Sequence, residues 1–322
     1  MRTKIMIALA GFMAAAVFAG QDIADDYTYT HQCEGKDVWR FHVHGGKPFF
    51  DPLCVAGGPS LTWARPADHV WHYGLWFSWK FINGVNYWEE KDGKSDGEAV
   101  FDNGGFVMPS QNGGTVISMC IDYRPRGTGK DATVLTENRI ITVSVPTEDG
   151  SYFMDWQLEF TACADVTLDR TPIPGEPGGQ GWGGYAGLSA RLADGMKDVE
   201  TIATTIGRVR RNADNRLDTT ATAVEQNGLV DGKPYGIAIL AHPSNPRAPG
   251  DWYALEGGNF NFLNAAFLLK SPYKLARGET LMLRYRVHVH PGRWDADTLQ
   301  ARAAAYGESA QVPIRPREDR PE

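Results

Sequence analysis

Helical periodicity is confined to one short segment of this 322-residue chain, residues 296–306, with Asp295 placed to cap it. Nearly everything else is short β-branched or aromatic runs, cut by 36 glycines, 19 prolines and many asparagines and aspartates. Runs that read as strands cover residues 38–43, 71–79, 114–123, 134–145, 153–162, 186–191, 235–241, 265–269 and 281–289. Many strands at short spacing, joined by turns, bury their apolar faces in antiparallel sandwiches or barrels. No repeat of fixed period and no low-complexity linker divides residues 20–309. The expectation is therefore all-β: one large antiparallel β-sandwich domain over 20–309, with one short C-terminal helix.

The two ends read differently. Arg2 and Lys4 precede an apolar run over 5–19 that closes on Val17-Phe18-Ala19, so residues 1–19 read as a secretory signal peptide. The run is too short and alanine-rich for a membrane span. The protein is expected to be exported, periplasmic or extracellular, and to have no membrane span. Residues 310–322, rich in proline and charge, read as a disordered tail. The formal net charge is -7 and the densest basic cluster is Arg208-Val209-Arg210-Arg211, which argues against a nucleic-acid partner. Cys33, Cys54, Cys120 and Cys163 are too widely spaced for a zinc site. In an oxidising compartment Cys33 with Cys54 is the first disulfide to test, against the alternative of unpaired buried thiols.

The densest chemistry lies in Asp68-His69-Val70-Trp71-His72-Tyr73-Gly74-Leu75-Trp76-Phe77-Ser78-Trp79. From Trp71 the residues alternate as in a strand. Trp71, Tyr73, Leu75, Phe77 and Trp79 form a core face; His72, Gly74, Trp76 and Ser78 form the other. That second face offers an imidazole that transfers protons near neutral pH. It also offers an indole that stacks on a sugar ring, and a glycine that admits close approach to the backbone. The alternative is a half-buried strand in which His72 and Trp76 are merely packed.

Two irregular segments, 172–185 and 242–264, hold too many special residues to be plain connections. The first is glycine-rich but carries Trp182 and Tyr185. The second carries Arg247, Trp252 and Glu256. His242 ends the strand 235–241, just before Pro243. Glu89 and Glu90 follow Asn86-Tyr87-Trp88, and alternation lets only one of them face a cleft. Arg284, Arg286, His288 and His290 share one face of the last strand and read as a solvated sheet face, as do Arg40, His42 and His44. There is no nucleophile elbow, phosphate loop, dinucleotide fingerprint or His-Glu-x-x-His zinc helix.

Several blocks then occur in one order: His69-x-x-His72-x-Gly-Leu-Trp-Phe-Ser-Trp, Asn83-Gly-Val-Asn-Tyr-Trp-Glu, Gly183-Gly-Tyr-Ala-Gly-Leu-Ser, His242-Pro-x-Asn-Pro-Arg247 and Tyr285-Arg-Val-His-Val-His-Pro-Gly. With them the chain resembles the exported bacterial family labelled methane oxygenase PmoA-like, over residues 38–306. Many relatives carry His-Pro-His-His-Arg-Gly where this chain has His69-Val-Trp-His72-Tyr-Gly74, without the middle histidine and the arginine. The membrane subunit of methane monooxygenase is built of transmembrane helices and this chain has no such segment, so methane oxygenation is not expected. The resemblance implies instead a supersandwich like that of galactose mutarotases. It also implies a carbohydrate context, since relatives occur beside sugar oxidoreductases and glycan-degrading enzymes. Mutarotase-like sites pair histidine acids with a carboxylate base.

The leading expectation is an exported enzyme acting on a glycoside or sugar by hydrolysis, elimination or epimerisation. Each reaction needs a proton donor and an acceptor on opposite sides of the ring. His72 and His242, with Glu89 or Glu256, are the candidate catalytic groups. His69, Trp76, Trp182, Tyr185 and Arg247 are the candidates to hold the sugar. No cofactor is expected. One alternative is a non-catalytic glycan-binding protein using the same aromatics. Another is a metalloenzyme with His69 and His72 on a divalent metal, joined by His242 or a glutamate.

Overall fold

The computed structural model describes residues 21–22, 26–101, 105–110, 112–209, 217, 220–257 and 260–310. The expected signal peptide and, apart from Ala310, the expected tail lie outside them.

Strands form where the pattern has period two. Buried and half-buried residues alternate along the whole of Leu135–Val143 and most of Thr115–Pro125 and Tyr152–Ala162. These three are neighbours in an eleven-stranded sheet that continues through Thr280–Pro291, Lys233–Ala241, Ala223–Val230 and Lys197–Ala203. A seven-stranded sheet runs in the order Trp252–Leu255, Phe262–Ala265, Gly187–Arg191, Leu75–Ser78, Lys47–Leu53, Lys36–His44, Tyr27–Cys33. Short strands Tyr273–Leu275, Val166–Asp169, Phe81–Ile82 and Val85–Asn86 make a four-stranded sheet. The pairings are antiparallel.

The two large sheets face each other across one apolar core. Ile117, Ile141, Trp156, Phe160 and Val287 of the larger meet Trp39, Phe41, Phe50, Leu75 and Phe77 of the smaller. Ring centroids of Phe50 and Trp156 lie 5.7 Å apart, and those of Phe77 and Phe160 5.5 Å. Alternation also gives each sheet an outer face. Between Leu75 and Phe77, Trp76 turns outward to join Phe49, Tyr73, Trp88, Tyr253 and Phe262. Between Ile237 and Ile239, Ala238 turns outward, and with Leu240 it packs under Leu299, Ala303 and Tyr306 of the helix Ala296–Gly307. That helix is the expected one, and the Asp295 carboxylate caps it by accepting from the Thr298 amide at 2.8 Å.

The antiparallel β-sandwich with a C-terminal helix is thus as expected, but several local expectations are not met. The strand expected over 71–79 starts only at Leu75. The run 265–269 is not a strand; pairing ends at Ala265. The segment 242–264 holds a hairpin, Trp252–Leu255 with Phe262–Ala265, in register Trp252↔Ala265 and Leu255↔Phe262. The face of Arg284, Arg286, His288 and His290 is mostly covered. Arg286 donates twice to Asp155, at 2.6 and 2.8 Å, with Tyr306 over its guanidinium. His290 stacks on Trp294 at 3.7 Å. Burial pushes the His288 imidazole down to about 3. All four cysteines are free thiols; Cys33 is exposed and Cys54 buried, so the pair singled out from sequence is not joined. No helix among the described residues is long and apolar enough to cross a membrane.

Candidate functional site

Residues 66–74 form turns, so that 71–74, expected to begin a strand, do not. The His69 amide donates to the Pro66 carbonyl at 3.0 Å and the His72 amide to the His69 carbonyl at 2.9 Å. The second turn folds the two imidazoles onto each other, ring centroids 4.8 Å apart. Gly74 ends the excursion with a positive φ of 73°. A Cβ at that position would lie 2.4 Å from the Phe50 carbonyl oxygen, so only glycine fits. The backbone approach expected at this glycine is made by a neighbouring strand.

The turn opens on a cavity of about 600 Å³ on the outer face of the smaller sheet. That volume is of the size that takes a small molecule. His69, Trp71 and His72 come from the turn. Tyr253, Glu256, Phe260 and Phe262 come from the hairpin and its connection, Trp182 and Tyr185 from the glycine-rich segment, and Glu89 from the chain after Val85–Asn86. The glycine-rich segment is pinned. The Gln180 amide reaches the Pro172 carbonyl at 2.9 Å, and the Gly184 amide the Thr171 carbonyl at 3.0 Å. The Glu176 carboxylate accepts from Arg170 at 2.6 Å and from the Ile173 amide at 2.9 Å. A Cβ on Gly183 would sit 2.1 Å from the Pro172 carbonyl oxygen. Trp182 is held at the cavity with 51% of its surface exposed.

Each ionisable group on the wall has a distinct setting. His69 Nδ1 lies 3.1 Å from Asp68 Oδ2, and that oxygen accepts from Arg191 at 2.9 Å. The Arg191 guanidinium is fully buried, 3.8 Å from the centre of the Phe260 ring. Burial pushes the Asp68 carboxyl up, but the hydrogen bonds and charges of His69 and Arg191 hold it below its ordinary value. His72 is buried, stacked on Phe262 at 5.0 Å, and its Nδ1 has no hydrogen-bond partner among the described residues. Burial, reinforced by His69, Arg191 and Lys47, keeps it well below the usual imidazole range and hence neutral. Burial also raises Glu89, but an ion pair with Lys80 and hydrogen bonds from Tyr185 at 2.8 Å and Asn86 at 2.6 Å outweigh it. Glu90 faces away from the cavity, toward Lys47 at 2.8 Å, Arg65 at 3.1 Å and the Tyr73 hydroxyl.

Of the residues singled out from sequence, His69, His72, Glu89, Glu256, Trp182 and Tyr185 meet at this cavity. Three do not. His242 packs edge-on against Tyr306 and bonds Ser244 at 2.7 Å, on the outer face of the larger sheet. Its side chain and that of His72 therefore lie on opposite sides of the sandwich. Trp76 is on the expected face of its strand, but Trp88 and Phe262 cover it and leave it 2% exposed. Arg247 donates to the carbonyls of Phe267, Ser271 and Pro272 at 2.8–2.9 Å, and so ties loops together. Asp68, Arg191, Tyr253 and Phe260 were not foreseen. Asp68 adjoins His69 in sequence, but its partner Arg191 is 123 positions away. Among the described residues no group of three or more His, Cys, Asp or Glu side chains is arranged to hold a metal ion.

A family model of unknown function, DUF6807, matches residues 28–304. The chain belongs to that family. The DUF6807 span contains every residue that lines the cavity. No curated protein matches the sequence. Similar solved structures include an alpha-galactosidase from Lactobacillus brevis, at 10% identity over 87% of this chain and 41% of that one, with a TM-score of 0.46. The galactosidase domain of an alpha-galactosidase-sucrose kinase matches at 12% identity over 85% and 42%, with a TM-score of 0.41. A polysaccharide lyase matches at 10% identity over 87% and 34%, with a TM-score of 0.29. The chain spans less than half the length of each.

Proposed function

We propose that this DUF6807 chain is an exported carbohydrate-active enzyme and that the cavity is its site. One observation carries the reading: a single hollow of about 600 Å³ joins aromatic rings to two imidazoles and two carboxylates. Aromatic faces bind the C–H faces of a sugar ring, and the polar groups between them bind its hydroxyls and move its protons. Trp182 and Tyr185 form the stacking wall. Glu89 is engaged by Lys80, Asn86 and Tyr185, so its part is to hold Tyr185 in place. His69 and Glu256 carry the proton transfer, with neutral His72 stacked behind His69. Hydrolysis, elimination and epimerisation all use such a pair.

The test is a titration of the purified protein with a panel of neutral and acidic mono- and oligosaccharides. Binding is read from titration calorimetry and turnover from nuclear magnetic resonance of the sugar. Saturable binding that Trp182→Ala weakens, with slow conversion of the same sugar, is the expected result. Binding without conversion leaves a glycan-binding protein, and no response to any saccharide sinks the carbohydrate reading.

A further inference from the structure

We infer that Asp68 is a positioning residue that fixes His69 as the Nδ1–H tautomer, making His69 Nε2 the proton acceptor of the cavity. The inference deepens the proposed function and rests on it for the reaction, though not for the tautomer.

The argument starts from donor and acceptor inventories. An ionised carboxylate only accepts hydrogen bonds, and a guanidinium only donates. Asp68 Oδ2 takes a hydrogen bond from Arg191 at 2.9 Å and lies 3.1 Å from His69 Nδ1. The nitrogen facing that oxygen must therefore carry the hydrogen, and a neutral imidazole with a proton on Nδ1 has a bare lone pair on Nε2. The rest of the setting holds the ring still. His69 stacks on His72 at 4.8 Å, and meets the edges of Phe260 at 4.6 Å and Trp71 at 5.4 Å. Phe260 also covers the guanidinium of Arg191 at 3.8 Å, so one ring packs on both ends of the chain Arg191–Asp68–His69. His69 lines the cavity, and with Nδ1 engaged, Nε2 is the nitrogen it can offer a ligand.

The chemical consequence is a direction. A substrate O–H or C–H gives its proton to Nε2, and the bonding electron pair stays on the substrate oxygen or carbon. The resulting imidazolium carries a positive charge next to the Asp68 carboxylate, whose own charge is shared with Arg191. Return of the proton to the product restores the starting tautomer, so no oxidant, reductant or metal enters the balance. The reaction begins with proton removal by His69, with the Glu256 carboxylate on the same cavity wall.

The tautomer is read directly from long-range proton–nitrogen correlation spectra of protein labelled with 15N-histidine, recorded above the imidazole titration range. His69 is assigned by its absence in His69→Gln. The wild type is expected to show Nδ1–H at His69. Asp68→Ala is expected to release the ring to a mixture of tautomers, while Asp68→Asn, which keeps an acceptor oxygen, is expected to retain Nδ1–H. Asp68 also pairs with the buried Arg191 guanidinium, so Asp68→Ala should melt below the wild type and Asp68→Asn closer to it, and the spectra are recorded well below both transitions. On a sugar that is turned over, Asp68→Ala is expected to lower kcat by about 10²–10⁴-fold with little change in KM, and Asp68→Asn to recover part of it. Nε2–H in the wild type, or an unchanged tautomer in Asp68→Ala, overturns the inference. If the tautomer behaves as stated and no saccharide binds, the carbohydrate reading falls and with it the assigned role of base, while the fixed tautomer stands.

Discussion

Trp76→Ala and Trp182→Ala separate packing from ligand contact within one aromatic layer. Trp76 is 2% exposed, with Trp88 at 5.4 Å, His72 at 5.2 Å and Phe262 at 6.0 Å. A buried indole removes about 150–250 Å² from water, worth about 4–6 kcal/mol at ~25 cal/mol per Å². Alanine keeps a little of that, and the denatured chain already hides some, so the expected loss is about 3–5 kcal/mol. Against a typical total of about 5–15 kcal/mol, that loss is large. Trp182 has 51% of its surface exposed, and backbone hydrogen bonds hold its segment. Its removal should cost less than about 1 kcal/mol of stability and about 1–3 kcal/mol of saccharide binding. Urea denaturation followed by far-ultraviolet circular dichroism, with the m-value checked for constancy, measures the first quantity. Titration with a bound saccharide measures the second. A Trp76→Ala protein within about 1 kcal/mol of wild type that no longer binds sugar would refute the assignment of Trp76 to packing.

Gly183→Ala should force the glycine-rich segment off its anchor, because the new Cβ would lie 2.1 Å from a backbone oxygen. A cost of about 1–3 kcal/mol and faster proteolytic cleavage within 172–185 are expected. His288, pushed down to about 3 by burial, stays neutral in the fold while an unfolded histidine titrates near 6.5. The unfolded chain therefore binds the extra proton as pH falls below 6.5, so stability is full above that point and is lost progressively toward pH 3. His288→Gln should flatten this slope in urea titrations run across the window. Alkylation of the native protein followed by peptide mapping should label exposed Cys33 promptly. Cys54, whose thiol burial raises to about 11, should be labelled only on unfolding.

What the sequence could reveal depended on whether the signal was local. The helix was legible because its cap and its alanine-rich turns are contiguous. The opposed faces of Leu75, Trp76 and Phe77 were legible because alternation needs only neighbours. The same alternation failed at Tyr73, since the positive φ of Gly74 resets the register and sends Tyr73 outward beside Trp76. It failed for function at Trp76 because nothing local says that an outer face is roofed, here by Trp88 and Phe262. Ala223–Val230 escaped notice because Glu225, Gln226 and Asn227 are polar yet wholly buried. His242 was rightly read as a strand end, but the sheet its strand joins is set by pairing with Thr280–Pro291, which no short window contains. The cavity residues His69, His72 and Glu89 were legible as chemistry, whereas Arg191 acquires its part only through a contact 123 positions away.

Two of the histidine groups of this chain differ in what covers them. On the outer face of the larger sheet the cover is the helix Ala296–Gly307 with Trp294 before it. The helix sets Ala303 and Tyr306 down on Ala238 and Leu240, and small residues at such a contact allow close approach. Trp294 lies flat on His290, which is left 1% exposed with Glu225 3.3 Å away. Gly236 is what makes room for that pair, since a Cβ there would come within 2.6 Å of both partners. His288 and His290 are buried under this cover, between the helix and the sheet. On the outer face of the smaller sheet the cover is loops. The segment 172–185 and the connection after Leu255 are anchored by their own hydrogen bonds, including Asn261 Oδ1 accepting from the Gly257 amide at 2.9 Å, so they do not depend on collapsing onto the sheet. Rings project from them and from the sheet toward each other across a gap, and His69 is at its wall. Self-anchored loops can keep such a gap open where a packed helix closes it, and so the proposed site is on the smaller sheet even though the last strand carries the denser run of histidines.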